Sequence, residues 1–571
     1  MARAWLSDSV RDMRPAFGQV AAVSAFVNLL AVAAPVFVLQ VYDRVVMHAG
    51  LSTLYGLMVG VCIAILFDFV LRQYRARLLQ RVALGIDIGV SSRLMDRLLA
   101  VPLRELEARP ATYWEILFRD VHAVRNTFSG ATAIAIADLP FAVIFLGVVY
   151  LIAPPMALVV LVLLPVFTGI AWWGARNQNA ASEEEQAAVV GREAVVSDIV
   201  AGRTTIKSLG LDGSFRDRWE TAHAATVDAG LERGRSADNF LNAGLAISIV
   251  STVAITGVGA LAILDQQITI GALIATNMLA NRIIGPFHQL VGTWRTVASC
   301  KQALARLDTV FALPFERAES TLQFERPRGT LTFDAVVFRY RPEDEPVIDG
   351  LGLTLEAKGL YGVIGANGSG KTTLLKLAMG LYSPDDGRVL IDGADIAQFS
   401  RRDLSRWFGF VPQDVRLFNG TLRDNICAGS PDAPDADILT AARHAGLHDF
   451  VAALPNGYGT VVGDGGAGLP GGIRQKVAIA RALVHDPVVV VLDEPSSNLD
   501  REAEAQLART LRRLSADRTV VMATHSTLLL GACHSVLVLE RGRIGRGGAA
   551  KDILPELFSA HGPTVPGRAQ P

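Results

Sequence analysis

Uncharged apolar runs long enough to cross a lipid bilayer occur throughout the first half of the chain, whereas charged residues are spread densely after about Val291. A helix rises about 1.5 Å per residue, so a hydrocarbon core of ~30 Å needs about 20 apolar residues. Residues 16–40 meet this length without a charge, and residues 51–67 form a second candidate span. The pattern predicts a membrane domain followed by a soluble domain.

Four further runs complete a predicted set of six spans. Residues 139–175 form an uncharged run that is too long for one crossing, and Pro154-Pro155 divides it because a helix cannot continue through this pair. We therefore predict two spans joined by a tight turn. Residues 240–264 form the fifth span, and residues 268–281, extended past Arg282 to about residue 291, form the sixth.

The N-terminal apolar run has a second interpretation, because a basic region followed by apolar residues is also typical of a cleaved signal peptide. Ala31-Val32-Ala33 resembles a cleavage site. The run is nevertheless longer than the usual apolar core of roughly 7 to 15 residues, and it continues through residues 36–39. The length favours a retained span.

Basic residues between the spans predict the orientation, because such residues tend to stay in the cytoplasm. Arginines are concentrated between the second and third spans: Arg72, Arg75, Arg77, Arg81, Arg93, Arg97, Arg104, Arg109, Arg119 and Arg125. The segments after spans one, three and five are short and nearly free of lysine and arginine. This places the N-terminus, the long loops and the second half of the chain in the cytoplasm.

Composition adds two exclusions. The formal net charge of the 571 residues is -1, which gives no reason to expect a nucleic-acid partner. The four cysteines, Cys62, Cys300, Cys427 and Cys533, lack the paired spacing of a metal site, and a cytosolic domain disfavours disulfides. We interpret the cysteines as small apolar residues.

A phosphate-binding loop occurs in the second half of the chain. Its residues are Gly365, Ala366, Asn367, Gly368, Ser369, Gly370, Lys371 and Thr372. Small residues allow main-chain N–H groups to point at phosphates, Lys371 can reach the β- and γ-phosphate oxygens, and the Thr372 hydroxyl can bind Mg²⁺. A predicted strand, residues 360–364, precedes the loop and a predicted helix, residues 373–378, follows it. The loop therefore predicts binding of ATP with Mg²⁺ at a helix N-terminus.

Two later strands are predicted to end on polar residues. The apolar, β-branched run 488–492 is typical of a buried parallel strand and is followed by Asp493 and Glu494. Asp493 is a candidate Mg²⁺ ligand, and Glu494 is a candidate for polarising the attacking water. The next predicted strand, residues 519–524, ends before His525, a candidate donor to the γ-phosphate. Solvated carboxylates and a structural histidine are the alternative interpretations.

The order of these motifs resembles the nucleotide-binding domain of an ABC transporter. After the phosphate loop come Gln413, Leu469-Pro470-Gly471-Gly472, Leu492-Asp493-Glu494-Pro495, Asn498-Leu499-Asp500 and His525. The resemblance implies that Gln413 senses Mg²⁺ and water, and that Tyr340 stacks on adenine. Thr373 joins the nucleotide-contacting candidates, and Asp500 belongs to a loop that touches the opposing subunit.

One motif departs from the family, whose signature usually has the sequence Leu-Ser-Gly-Gly-Gln. Here Pro470 and Ile473 replace the serine and the glutamine. Losing a hydroxyl contact with a charged oxygen costs on the order of 1.5 to 3 kcal/mol. Gly471 and Gly472 still offer main-chain N–H groups at a helix start. We expect a weakened contact with ATP rather than an inactive one.

The first half is similar to the membrane domain of type I secretion ABC exporters, the protease and RTX-protein secretion group. The similarity is carried by residues 35–45, Ser52-Thr53-Leu54, residues 138–141, residues 270–275 and residues 277–279 with Arg282. It extends over about residues 20–558 and implies export of an unfolded polypeptide across the bacterial inner membrane. No peptidase segment precedes the spans, so leader processing is not expected.

The same resemblance implies several partners. These are a second ABC subunit, with a homodimer favoured over a heterodimer, a periplasmic adaptor, an outer-membrane channel, the polypeptide substrate and membrane lipid. Two alternatives to polypeptide export remain open: a lipid or drug exporter, and a weakly active regulatory half of a heterodimeric exporter.

The predicted fold is an all-α membrane domain of six helices, residues 1–312, followed by an α/β P-loop ATPase domain, residues 330–558. A proline-punctuated linker, residues 313–329, joins them, and a disordered tail, residues 559–571, follows. Asp138 is costly in lipid and is expected to face the bundle interior, with Arg282 as its candidate partner by charge.

Overall fold

The computed structural model describes residues 5, 11, 13–47, 50–292, 294–316, 325–466 and 468–559. The chain forms two compact units, of which the first contains the residues up to Leu98 and Pro110–Ala312. The second contains Leu99–Arg109 and the chain from Leu313 onward. Residues 99–109 thus pack with the second unit, although they fall within the predicted membrane domain 1–312.

The boundaries of the predicted linker and tail are described only in part. Within the predicted linker 313–329, residues 317–324 lie outside the described residues, and so do residues 560–571 of the predicted tail.

The first unit is helical throughout its described part. Its helices are α1 (Arg14–Leu30), α2 (Ala33–Gln40), a π-helix (Val41–Val46), α3 (Leu51–Ala100), α5 (Ala111–Ser129), α6 (Ala131–Asp138), α7 (Phe141–Ile152), α8 (Pro154–Ala201), α9 (Arg203–Leu209), α10 (Asp212–Leu264), α11 (Ile270–Gly292) and α12 (Trp294–Ala312). The short helix α4 (Leu103–Glu107) belongs to the second unit.

Helices lie at each of the six predicted spans. By length and composition, four helical segments of the described chain can cross a membrane: Arg14–Val46, Leu51–Ala100, Ala111–Ile152 and Asp212–Leu264. The other two predicted spans correspond to the shorter apolar helices Pro154–Val166 and Ile270–Gly285. As predicted, the long apolar run divides at the proline pair, where α7 ends at Ile152 and α8 begins at Pro154.

A buried polar cluster joins α1, α3 and α6. Nη1 of Arg75 donates to Asp138 Oδ1 at 2.7 Å and to Ser24 Oγ at 3.2 Å. Nδ2 of Asn28 donates to the same Asp138 oxygen at 2.9 Å, and Arg75 is only 3% exposed. The suggestion that Arg282 is the partner of Asp138 is therefore corrected. The positive charge of Arg282 suggested this pairing, but the packing of α3 brings Arg75 to the end of α6.

The second unit is α/β, and its described residues form three sheets. Its strands are β1 (Leu331–Phe338), β2 (Ile348–Leu355), β3 (Gly359–Ile364), β4 (Asp386–Ile391), β5 (Ala394–Asp395), β6 (Phe408–Val411), β7 (Gly420–Thr421), β8 (Val461–Val462), β9 (Val489–Asp493), β10 (Thr519–Ala523), β11 (Ser535–Glu540) and β12 (Arg543–Ala549). The largest sheet has the order β12-β11-β3-β10-β9-β6, in which β12 alone runs antiparallel to its neighbour. The antiparallel sheet β2-β1-β4-β5 and the pair β7-β8 complete the unit.

Helices surround these sheets. They are α13 (Lys371–Ala378), α14 (Arg401–Trp407), α15 (Leu422–Ile426), α16 (Asp435–His444), α17 (His448–Ala452), α18 (Gly471–Leu483), α19 (Arg501–Leu514), α20 (Thr527–Gly531) and α21 (Ala550–Ser559), with 3₁₀ turns at Ile396–Gln398, Gly457–Gly459 and Asp464–Gly466.

The central strands of the largest sheet are buried on both faces. Every residue of β9 and of β10 is buried, as expected for parallel strands covered on two sides. Side chains alternate between the faces of a strand, so Val490 and Leu492 pack in one core while Val489 and Val491 pack in the other. The two hydrophobic cores therefore cover both faces of the sheet.

Candidate nucleotide-binding site

Three parallel strands end at the same edge of the large sheet. Ala523 of β10 pairs with Val363 of β3 on one side and with Asp493 of β9 on the other. The chain segments that follow these strands carry the phosphate loop, Glu494 and His525. Parallel register therefore brings together residues that lie far apart in the sequence.

The phosphate loop depends on glycine in its backbone. Gly368 and Gly370 have φ values of +81° and +101°, a region that residues with a Cβ rarely adopt. A Cβ added at Gly365 would lie 2.4 Å from the main-chain oxygen of Leu539. Ser369 Oγ is buried and makes no hydrogen bond within the described part of the chain. The loop is thus a tight cradle with an unused hydroxyl group.

Lys371 begins helix α13 and folds back over the loop. Its Nζ donates to the main-chain oxygens of Gly365 at 2.8 Å and of Ala366 at 3.1 Å. Burial lowers the pKa of Lys371, while the nearby carboxylates of Glu494 and Asp493 oppose this shift. The ammonium group is held by two uncharged acceptors, which the charged oxygens of a polyphosphate can replace with stronger hydrogen bonds.

Thr372 and Asp493 form the candidate magnesium site. Asp493 is 3% exposed, and burial raises its pKa, while the hydrogen bond from Thr372 and the charge of Lys371 act in the opposite direction. The described residues contain no group of three histidine, cysteine or acidic side chains that could hold a metal. One carboxylate beside one hydroxyl nevertheless fits Mg²⁺, which typically binds one or two carboxylates and completes its shell with phosphates and water.

Glu494 has a constrained backbone, with a φ of +45°. Its N–H donates to the main-chain oxygen of Ala523 at 2.9 Å, and its side chain is 19% exposed. The N–H of His525 donates to Glu494 Oε2 at 3.4 Å, and His525 Nε2 lies 3.7 Å from Glu494 Oε1. These contacts therefore orient the Glu494 carboxylate at the edge where the parallel strands end.

Tyr340 is 44% exposed, and its hydroxyl is 2.9 Å from the hydroxyl oxygen of Thr373. It lies at the edge of a cavity of about 460 Å³. The cavity is lined by Tyr340, Val347, Asn367, Gly368, Gly370, Lys371, Thr372, Thr373, Gln413, Asp493, Glu494 and His525. The structure therefore groups most of the sequence-predicted residues around one space.

Both halves of the chain match known families. Residues 348–497 match the ABC transporter family, and residues 19–287 match the ABC transporter transmembrane region. The Toxin RTX-I translocation ATP-binding protein of Actinobacillus pleuropneumoniae is 32% identical over 552 residues, which cover 97% of this chain and 78% of that protein. The Alpha-hemolysin translocation ATP-binding protein HlyB of Escherichia coli is 31% identical over 559 residues, which cover 98% of this chain and 79% of that protein.

The chain belongs to the type I secretion family of ABC transporters. It is a multi-pass membrane protein with a nucleotide-binding ATPase domain, and the predicted family and fold class are confirmed. A bacterial Atm1-family ABC exporter, solved with ATP bound, has the same fold, with a TM-score of 0.84 at 24% identity. The likeness covers 96% of this chain and 98% of that one.

In this ABC exporter, six predicted residues do not line the cavity: Gly365 and Ser369 of the phosphate loop, and Pro470, Gly471, Gly472 and Asp500. Pro470 is the residue that precedes α18, and Gly471 and Gly472 are its first residues. Asp500 caps α19 by accepting a hydrogen bond from the N–H of Ala503 at 2.8 Å. A Cβ added at Gly472 would lie 2.9 Å from the main-chain oxygen of Asn498. The signature helix and the Asn498–Asp500 loop are therefore close neighbours.

One residue that lines the exporter's cavity was not predicted from the sequence. Val347 lines the cavity beside Tyr340 and Gly370. Its main-chain oxygen and Cγ1 would be 3.0 and 3.3 Å from a Cβ added at Gly370. A lone valine before a strand has no motif or spacing that predicts contact with a nucleotide.

Proposed function

We propose that this chain exports an unfolded polypeptide across the bacterial inner membrane, driven by ATP, as the ATPase-permease of a type I secretion system. The observation that carries the proposal is its identity of 32% over 97% of the chain to a translocation protein for an RTX toxin. Relatives named for the export of hemolysin and leukotoxin support the same substrate class.

The residues around the cavity suit this ATPase. Lys371 binds the β- and γ-phosphate oxygens, and the main-chain N–H groups of the loop surround the phosphates. Glu494 polarises the attacking water, and His525 donates to the γ-phosphate. Tyr340 offers the face of its ring to adenine.

Mg²⁺ would be held by the Thr372 hydroxyl and the Asp493 carboxylate, with Gln413 sensing the ion and its water. When bound, the ion neutralises charge on the phosphate oxygens. The buried, hydrogen-bonded position of Asp493 supports this assignment, since a carboxylate there has few other ways to offset its desolvation.

A second subunit completes each ATP site. Pro470, Gly471, Gly472 and Asp500 do not line the cavity of their own chain, which is consistent with contacts to nucleotide held by the opposing subunit. The main-chain N–H groups of Gly471 and Gly472 lie at a helix start, where an anion is favoured. We propose a homodimer in which two identical signatures face two phosphate loops.

The membrane context follows from the chain's charge pattern and family. In this proposal the N-terminus and the ATPase domain are cytoplasmic, because arginine-rich segments between spans tend to stay in the cytoplasm. Export beyond the inner membrane requires a periplasmic adaptor and an outer-membrane channel, which we propose as partners. Membrane lipid surrounds the apolar helices, of which Leu151 and Leu264 are 83% and 79% exposed.

The test uses the purified full-length protein in lipid vesicles. ATPase activity is measured with and without a polypeptide that carries a C-terminal secretion signal, and Lys371→Ala is the inactive control. Stimulation by the polypeptide supports the proposal. Stimulation by added lipid alone would favour a lipid exporter, and absence of ATPase activity would favour a regulatory half.

A further inference from the structure

A short segment from between the second and third predicted spans belongs to the second unit, which contains the candidate nucleotide-binding site. This segment is Leu99–Arg109, and it contains helix α4, Leu103–Glu107. Its charged residues Arg104 and Glu107 contact the region around Tyr340 and the helix that follows the phosphate loop. None of the sequence motifs points to these contacts.

Arg104 holds the main chain on which Tyr340 is mounted. Its Nε donates to the main-chain oxygen of Tyr340 at 3.2 Å, and its Nη1 donates to Asp385 Oδ1 at 2.9 Å. The other oxygen of Asp385 accepts from the N–H of Arg339 at 2.7 Å. The guanidinium carbon also lies 5.2 Å from the centre of the Phe338 ring. Arg104 therefore contacts Phe338 and Tyr340 directly, and it contacts Arg339 through Asp385.

Glu107 acts on the ring of Tyr340 through Tyr382. Its carboxylate accepts from Lys376 Nζ at 2.8 and 3.0 Å and from the hydroxyl of Tyr382. The Tyr382 ring meets the Tyr340 ring edge to face, with centroids 5.9 Å apart. Burial and the bond to Glu107 raise the pKa of Tyr382, so its hydroxyl remains a donor. The ring against which Tyr340 rests is thus oriented from the same segment.

A purely stabilising role explains these contacts less well. The ion pair of Arg104 with Asp385 is partly screened by solvent, because each side chain is about a quarter exposed. The contacts also converge on one residue. Tyr340 is held at its main chain by Arg104, at its ring by Tyr382, and at its hydroxyl by Thr373.

We propose that Arg104 and Glu107 are positioning residues for Tyr340, so that the segment between spans two and three sets the affinity for the adenine base of ATP. The inference rests on the proposed function, because it takes Tyr340 as the residue that stacks on adenine. A ring held in its binding orientation loses less conformational freedom when the base binds. Lys371, which binds the phosphates in this proposal, bonds to the main-chain oxygens of Gly365 and Ala366 and not to Tyr340 within the described residues.

The experiment compares two ligands that share the phosphates and differ in the base. Binding of ATP and of inorganic tripolyphosphate, each with Mg²⁺, is measured on the full-length protein in lipid nanodiscs. The variants are Arg104→Ala, Arg104→Lys, Glu107→Gln and Asp385→Asn. The matched control is Glu105→Gln in the same helix, because no hydrogen bond or ion pair of its side chain is seen within the described residues.

We expect Arg104→Ala to weaken ATP binding by about 3- to 10-fold, the range for loss of an aromatic stacking contact, while tripolyphosphate binding stays unchanged. Arg104→Lys should recover part of the loss, and Asp385→Asn should reproduce it from the other side of the ion pair. Equal weakening of both ligands, or no change in either, would overturn the inference. Wild-type protein that binds neither ligand would instead overturn the proposed function.

Discussion

Glu494 Oε1 lies 3.7 Å from Nε2 of His525, and Glu494 Oε2 accepts a hydrogen bond from the His525 N–H at 3.4 Å. The two residues follow adjacent parallel strands, and the backbone of Glu494 has the uncommon φ of +45°. Such a conformation persists only where the surrounding structure holds it. The main-chain bond from Glu494 to Ala523 provides this restraint.

The first prediction concerns Glu494→Gln. The amide keeps the size of the side chain and can still accept from His525, but it lacks the charge that polarises water. We expect kcat to fall by about 100-fold or more, the lower end for loss of a general base, while ATP binding persists. Steady-state ATPase assays and equilibrium nucleotide binding measure the two quantities. Glu502→Gln, an exposed position at the start of α19, is the control. Turnover near the wild-type rate would rule out the assigned role of Glu494.

The second prediction concerns His525→Ala. His525 lines the cavity together with Glu494 and Lys371, and its Nε2 is the candidate donor to the γ-phosphate. Loss of one donor to developing charge typically lowers kcat by about 10² to 10³. We expect a decrease of this size with a smaller change in KM. An equal loss in His525→Ala and in the double variant with Glu494→Gln would indicate that the two residues act as one unit.

The third prediction concerns the altered signature, where Pro470→Ser restores the usual hydroxyl. Pro470 has φ of -56° and ψ of 148° before α18, an extended conformation that serine adopts readily as a helix N-cap. A hydrogen bond to a charged oxygen contributes about 1.5 to 3 kcal/mol, so KM for ATP should fall by about 10-fold or more. Pro470→Ala, which lacks the hydroxyl, is the control. An equal effect of serine and alanine would show that the ring of proline, rather than the missing hydroxyl, limits the site.

Local patterns predicted the elements that position the site. Continuous apolar, β-branched runs indicated β9 and β10, and the observed strands differ from the predicted ones by one residue at the ends. Both strands are buried on two faces, which is the situation in which such runs are most informative. Their shared edge then follows from parallel pairing. This is why the motif order alone anticipated the grouping of Asp493, Glu494 and His525.

Apolar length predicted the positions of the candidate membrane-spanning helices but not where these helices end. The second predicted span covered residues 51–67, whereas α3 continues to Ala100. Beyond the lipid, a helix no longer needs apolar residues on every face, so the loss of apolarity after residue 67 does not mark a helix end. Buried residues such as Leu78, Val82, Ile86 and Val90 follow the helical spacing of an amphipathic face.

Contacts between distant polar residues could not be predicted. Arg104 and Tyr340 are 236 positions apart, and Arg75 and Asp138 are 63 positions apart. Neither periodicity nor motif spacing indicates which of many arginines binds a given acceptor, because this pairing depends on how whole helices pack. Charge alone suggested Arg282 for Asp138, and packing selected Arg75.

The fourth prediction tests the buried pair of Arg75 and Asp138. Arg75 has a 4% exposed side chain and donates to both Asp138 and Ser24. Removing one member of a buried ion pair leaves an uncompensated charge and typically costs about 3 to 5 kcal/mol. We therefore expect Arg75→Ala and Asp138→Ala each to lower the thermal stability of the membrane protein in detergent strongly.

The double variant distinguishes a pair from two independent contributions. Once both charges are absent, neither is left unpaired, so Arg75→Ala with Asp138→Ala should be more stable than the sum of the single effects predicts. The matched control is Arg282→Ala combined with Asp138→Ala, which should show additive effects because, within the described residues, Asp138 accepts from Arg75 and Asn28 and not from Arg282. Additive losses in the Arg75 cycle, together with coupling in the Arg282 cycle, would reverse the assignment of the partner.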